Sequence, residues 1–455
     1  MSKPAHSGFD ARRRNPSRLL AAVVALLATP LAASASDDAP APADQTFAVH
    51  AQSTFVYQAN DSFNSPYDGA NSLWPRANGR ETWDVTLFAG ARPWKGAEIW
   101  INPEIDQGFG LSGTLGLAGF SSGEAYKVGA VDPYVRLQRV FLRQTIDLSG
   151  ASSKVDPDLN VLGGSQTDNR LVVTVGKFAV TDVFDTSKFA HDPKHDFLNW
   201  ALIDTGAFDY AADAWGYTVG AAVEWYQGDW TLRAGGFDLS DIPNSPRLDP
   251  NFGQFQLVGE AERRFKLAGQ DGSLKLTGFL SRGRMGLYAD ALALAAATRT
   301  TPSVAAVREY RGRIGLSLNL QQQVTGELGL FFRAGVAGGA VEPYEFADID
   351  RTLAGGVSLS GKRWGRANDT VAVAGIVNGI SGEFQKYLAA GGLGILIGDG
   401  RLPHPGTESI LETYYDAAIA RFLHVAIDYQ LVNNPAYNTD RGPVSIVAAR
   451  FHAQF

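Results

Sequence analysis

Glu98, Trp100, Asn102 and Glu104 form the first group in the chain whose types and spacing could do chemistry. Alternate side chains of an extended strand point the same way. These four therefore share a face with Asp106, opposite Ile99, Ile101 and Ile105. Carboxylates and an amide make paired hydrogen bonds, and an indole offers a flat apolar face. Such a set suits an uncharged, polyhydroxylated solute better than an ion. A second stretch repeats the pattern: Arg139, Phe141, Arg143, Thr145 and Asp147 oppose Val140, Leu142, Ile146 and Leu148. Each guanidinium is a rigid fork of donors, fitted to vicinal hydroxyls or to a facing carboxylate. Asp84, between Thr82 and Thr86 on a third alternating face, adds an acceptor. Acidic and basic walls facing one another orient dipolar solutes without strong charge selection, whereas an all-basic lining selects anions. The competing reading is that these charges pair only with each other and stiffen their sheet.

Covalent chemistry finds little support. Cysteine is absent. His191 and His195 stand at i,i+4, but Pro193 between them argues for a loop rather than a ligand-bearing helix. Gly392, Gly394 and Gly398 lack the spacing and context of a nucleotide-binding loop and read as strand glycines. No enzyme activity, cofactor or metal is expected.

The elements that must position these residues are strands. Glycine numbers 50, aromatic residues make up 11% and charged residues 19%, with a mean hydropathy of −0.10. Helical membrane spans would be far more apolar, and a soluble chain of this size usually carries more charge and less glycine. A barrel whose strands alternate lipid-facing and water-facing residues averages to near neutrality. From about Phe47 onward, runs of alternation end in Gly, Pro, Asn or Asp breaks. Val219, Ala221, Val223 and Trp225 oppose Thr218, Gly220, Ala222 and Glu224; Leu328, Leu330, Phe332 and Ala334 oppose Gly329, Phe331 and Arg333. Aromatics gather at strand ends, as at Trp94, Trp225, Tyr226 and Trp230, where an interfacial girdle would lie. Backbone groups in hydrocarbon must all be paired, so such a sheet has to close on itself. At roughly 25 residues per strand and connection, the length predicts an antiparallel up-and-down transmembrane β-barrel of about 16 strands, with 14 or 18 open, around a water-filled lumen. Leu287 to Val307 departs from the theme, being rich in Ala and Leu, and reads as a loop helix, folded inward to narrow the pore or, as the alternative, lying over the rim.

The ends of the chain agree. Arg12, Arg13, Arg14 and Arg18 precede an apolar run from Leu19 to Leu31, and Ala33-Ser34-Ala35 supplies a small-residue cleavage site. Residues 1–35 are thus expected to be a cleaved signal peptide, 36–46 a flexible periplasmic tether, and 47–455 the barrel. Losing 1–35 removes five of the 40 Lys/Arg and one of the 47 Asp/Glu, leaving a net charge of −11, so nucleic acid is not an expected partner. Val447, Ala449, Phe451, Ala453 and Phe455 form one apolar face ending at the C-terminus. A terminal Phe on an alternating strand resembles the sorting signal read by the outer-membrane assembly machinery of Gram-negative bacteria.

Several segments also resemble the carbohydrate-selective porin (OprB-like) family of Gram-negative outer membranes. They are Arg139 to Thr145, Gly176-Lys177-Phe178 through Phe184-Asp185, Phe197-Leu198-Asn199-Trp200, and Gly361 to Asp369. The longest is C-terminal, with Glu412, Tyr415, Asp428 to Pro435, Arg441-Gly442-Pro443-Val444 and Arg450. The resemblance implies a 16-stranded barrel passing glucose-like mono- and oligosaccharides, with Arg139 and Arg143 among the family's lumen residues. Glu98, Trp100, Asn102, Glu104 and Asp84 rest on alternation alone. The expectation is passive diffusion of small neutral sugars through an outer-membrane porin in contact with lipid. The alternatives are a porin for another small solute, such as organic acids, and a structural barrel with a closed lumen.

Overall fold

A computed structural model describes residues 44–125 and 128–455. The expected signal peptide, its cleavage site and most of the tether fall outside these residues. The first eight strands are β1 (Phe47–Asn60), β2 (Asn78–Ala91), β3 (Ala97–Gly108), β4 (Ala130–Val155), β5 (Gly164–Phe178), β6 (Thr218–Gln227), β7 (Trp230–Asp238) and β8 (Phe255–Leu267). The second eight are β9 (Gln270–Gly286), β10 (Arg308–Gln323), β11 (Leu328–Ala337), β12 (Arg351–Gly361), β13 (Arg366–Gly379), β14 (Glu408–Ala420), β15 (Leu423–Asn433) and β16 (Val444–Gln454). Each pairs antiparallel with its neighbours in sequence, and β1 pairs with β16 from Gln52↔Gln454 to Asn60↔Ile446. The sheet therefore closes, at the expected 16 strands, and leaves no edge.

Alternation decides what each face meets. Leu87, Ile99, Ile101, Val219, Val223, Leu330, Phe332, Val447 and Phe451 are exposed large apolar residues on the outer surface. On a barrel this is the lipid-facing band. Short turns join β2 to β3, β6 to β7, β8 to β9 and β14 to β15, at the end where both termini lie. Trp94, Trp225, Trp230, Trp364 and Phe455 are exposed near that end. Tyr226 is a correction. Its parity turns it inward, where its hydroxyl donates to Glu224 at 2.8 Å and Arg170 lies 3.7 Å from its ring centre.

Long connections leave the opposite end, and several fold into the bore. The longest, 179–217, meets inward-facing aromatics of the wall: Phe184 packs edge-on to Phe237 at 6.0 Å, Phe197 to Tyr414 at 5.0 Å, and Phe208 against Phe279 at 5.5 Å. Trp200 stacks on Phe120 of the 109–129 connection at 5.3 Å, and Tyr210 meets Phe346 of 338–350 at 5.4 Å. The lumen thus carries a packed apolar core of its own.

Two loop expectations change. The helix expected within 287–307 forms at Tyr288–Thr298, but it sits at the rim. Tyr288 stacks on Phe384 at 4.5 Å and lies 5.0 Å from Tyr387, both on the neighbouring Gly382–Ala389 helix, while Ala293, Leu294, Ala296 and Ala297 stay exposed. The longest segment inside the barrel is instead 179–217. Gly392 to Gly398 is loop rather than strand, wrapped on Asp348, whose carboxylate accepts from the backbone N–H of Ile395 at 3.1 Å and Leu396 at 2.6 Å.

Candidate functional site

Buried polar side chains of the wall fasten the 179–217 loop across the bore. Arg333 of β11 donates to the carbonyls of Leu202 and Asp185. Glu412 of β14 accepts from the N–H groups of Leu198, at 2.5 Å, and Asn199. Arg450 of β16 donates to the carbonyls of Pro193 and Asp196 at 2.7 Å and of His195 at 3.0 Å. Gln256 of β8 donates to the Asp209 carbonyl and accepts from Ala211. A loop without regular structure leaves backbone groups unpaired, and buried ones must find partners. Here the barrel wall supplies them.

Against the wall made by β2 to β5, the same loop completes a belt of charge. Arg139 Nε and Nη2 grip the Asp182 carboxylate at 2.8 and 2.6 Å, and the guanidinium lies 4.9 Å from the Tyr217 ring centre. Arg136 lies flat on Trp215, 3.2 Å from the ring centre, and reaches Asp213 at 3.5 Å. Lys177 meets the same Asp213 oxygen at 3.0 Å. Lys194 bridges Asp84 at 3.0 Å and Glu124 at 2.6 Å. Burial works against a charge at Lys194, but Asp84 and Glu124 outweigh it and lift the ammonium well above the ordinary lysine value. Burial likewise opposes ionisation of Asp182, and the Arg139 charge prevails, holding the carboxyl below its usual range. Arg136, Lys177 and Asp182 keep 24%, 20% and 30% of their side-chain surface open, so the belt faces solvent as well as itself.

The residues expected from the sequence divide into two places. Asp84, Glu104 and Arg139 belong to the belt, where Glu104 accepts from Thr86 Oγ1 at 2.5 Å and Gln138 Nε2 at 3.1 Å. Glu98, Trp100, Asn102 and Arg143 lie towards the short-turn end, beneath the turn 156–163 that joins β4 to β5. The Trp100 ring is fully buried, its N–H donating to Glu98 at 3.0 Å. Gly90 lets the ring approach, since a Cβ there would stand 2.5 Å from its carbons. Asn102 is also buried, so these two offer no open surface as the chain stands.

Over residues 70–455 the sequence matches the family model described as carbohydrate-selective porin, OprB family. The chain belongs to that family. An OprB-family porin is a channel of the Gram-negative outer membrane, and the closed 16-strand barrel fits that placement. The structure of Pseudomonas putida OprB at high pH aligns with a TM-score of 0.68 and 17% identity, over 90% of this chain and 94% of that one. The low-pH structure of the same protein gives 0.49 at 12% identity, over 90% and 93%. The outer-membrane channel DcaP of Acinetobacter baumannii gives 0.49 at 10%, over 90% and 97%. No curated protein matches the sequence.

Several members of this porin's belt were not visible by alternation. Arg136 and Gln138 have the opposite parity to Arg139, yet all three point inward. A bulge explains this: the β3–β4 pairing passes from Asn102↔Arg139 to Pro103↔Leu137, leaving Gln138 extra. Proline has no N–H for the ladder and is found where pairing is irregular. Pro103 opposite two arginines three apart was the available signal. Lys177, Lys194, Asp182, Asp213 and Glu124 sit at a strand end or in loops, where period two says nothing.

Proposed function

We propose that this OprB-family barrel passes small neutral sugars, glucose-like monosaccharides and short oligosaccharides, down their gradient into the periplasm. No covalent chemistry or cofactor is involved. One observation carries the reading: each cation of the belt is matched by a carboxylate. Arg136 and Lys177 share Asp213, Arg139 holds Asp182, and Lys194 stands between Asp84 and Glu124. A paired lining sets up no net positive field to attract anions, while its forks and acceptors match hydroxyl groups. In this reading Arg139 faces the solute at the belt, backed from behind by the buried Asp84 and Glu104, and Glu98, Trp100, Asn102 and Arg143 form the wall at the periplasmic exit beneath the 156–163 turn. The family's description as carbohydrate-selective supports it. Phe455 serves as the recognition residue for the assembly machinery.

Purified protein in planar bilayers and in liposomes tests the proposal. Glucose or a maltodextrin should block the ion current, and liposomes should swell in it. The sugar reading fails if neither happens, and anion preference in reversal potentials would favour organic acids instead. The packed aromatic interior favours one rival, a closed structural barrel, which predicts no current at all.

A further inference from the structure

One element is longer than a membrane span requires. β4 runs for 26 residues and β5 for 15. On one side the β3 pairing stops at Gln144, with the Thr145 N–H on the Gly96 carbonyl at 2.7 Å. On the other the β6 pairing begins at Arg170. Within the sheet, residues 146–169 therefore ladder only with each other and extend past the short turns. The hairpin does not simply project. Register shifts between Asp147 and Ser149 and between Ser149 and Ser152 bend it, Gly150 has a φ of 93°, and Gly150 to Lys154 are exposed. Its turn curls back into the mouth of the bore, where Leu162 is completely buried.

The seat of that turn is made of polar groups from the lumen wall. Asn102 Nδ2 donates to Asn160 Oδ1 at 2.9 Å, and Arg143 Nη1 to the Asn160 carbonyl at 2.8 Å. Arg92 donates to the carbonyls of Gly163 at 3.1 Å and Leu162 at 3.2 Å. Gln45 exchanges two hydrogen bonds with Gly163, at 2.8 and 2.9 Å. Asn160 takes a left-handed φ of 49°, which asparagine tolerates well. An amide and backbone carbonyls thus occupy the donors of Asn102 and Arg143, which would otherwise line the exit.

We propose that the β4–β5 hairpin is a periplasmic gate. Its tip, seated on Asn102, Arg143 and Arg92, throttles the exit, and it swings clear about the bulged segment 147–152. The seat consists of a few hydrogen bonds and one buried leucine. The hinge lacks lateral pairing. Such segments open at far lower cost than the barrel itself. The gate requires only that the barrel conducts, and not that sugar is its solute.

The full-length chain has no cysteine, so an Asn102→Cys/Asn160→Cys variant carries a single possible disulfide. Bilayer conductance of this variant should at least double when the locked form is reduced. Replacing 156–163 by Asn-Gly, a two-residue turn suited to the flanking pair, should fix conductance at the higher level whatever the redox state. Heat-modifiable gel mobility checks that both variants fold, and the lock decides alone if the shortened hairpin does not. Equal conductance of locked and reduced forms overturns the gate. So does wild-type conductance in a folded shortened variant, and so do thiols that refuse to pair under oxidant. Ion current is the readout throughout, so a failed gate and a failed sugar reading are separable.

Discussion

Arg139 and Arg143 look equivalent in sequence, two positions either side of Phe141, yet they have different partners. Arg139 makes a two-pronged pair with Asp182 and keeps 18% of its side chain open, whereas Arg143 spends a donor on the hairpin carbonyl of Asn160. Replacing Arg139 with Ala should weaken glucose block about tenfold, equivalent to about 1.4 kcal/mol, because a charged hydrogen-bonding group contributes about that much. Replacing Arg143 with Ala should raise conductance by unseating the turn, and single-channel recording of both variants would show the divergence. Equal effects would place the two residues in one site. Alternation put both side chains on the inner face; what each touches there depended on the 179–217 loop and the 156–163 turn, and period two does not reach either.

Strand periodicity is legible wherever one face meets lipid, since a one-residue slip would turn the apolar set inward. β3, β6 and β11 contain the stretches in which alternation was read, and β4 does so until its bulge. Deleting Gln138 tests the bulge directly. With the extra residue gone, Arg136 and Arg139 would stand two apart and both stay inward, opposite Glu104 and Asn102, so the barrel should still assemble. Only the Gln138 hydrogen bonds to Glu104 and Asp106 are lost, at about 0.5–1.5 kcal/mol each, read as a modestly lower midpoint in the heat-modifiability assay. Loops are harder to read, because their conformation depends on distant partners. The Leu287–Val307 composition gave a helix without giving its place. The segment 179–217 showed no period, and its signal was length: too long for a turn, and rich in Asp and aromatic residues. Its anchors can be weighed. Arg313 of β10 is fully buried between Asp209 of that loop, at 2.7 Å, and Asp350 of 338–350, at 3.0 Å. Arg313→Ala would strand two buried carboxylates and should destabilise the fold by about 3–5 kcal/mol, seen as a lower midpoint in the heat-modifiability assay.

For the molecule as a whole, closure is the governing fact. Length and turn spacing gave about 16 strands, and the β1–β16 seam makes the count consistent with a cylinder. Phe455 finishes the seam: its N–H donates to the Ala51 carbonyl at 2.8 Å, its carbonyl accepts from Ala51 at 3.1 Å, and its ring stacks on Phe422 at 5.2 Å. If Phe455 also serves as a recognition signal, Phe455→Ala should reduce assembled protein in the outer membrane severalfold. Phe422→Ala, which removes the same stack and leaves the terminal residue, should lower stability by only about 0.5–1.5 kcal/mol. Equal assembly defects in the two would mean that the stack alone matters. The aromatic core inside the bore bears on transport in another way. A close-packed interior resists deformation, and here it welds the constricting loop to strands on every side of the cylinder. Such an aperture does not dilate for a bulkier guest. Exclusion should therefore set in abruptly along a homologous series of oligomers, with one member permeating and the next one or two shut out.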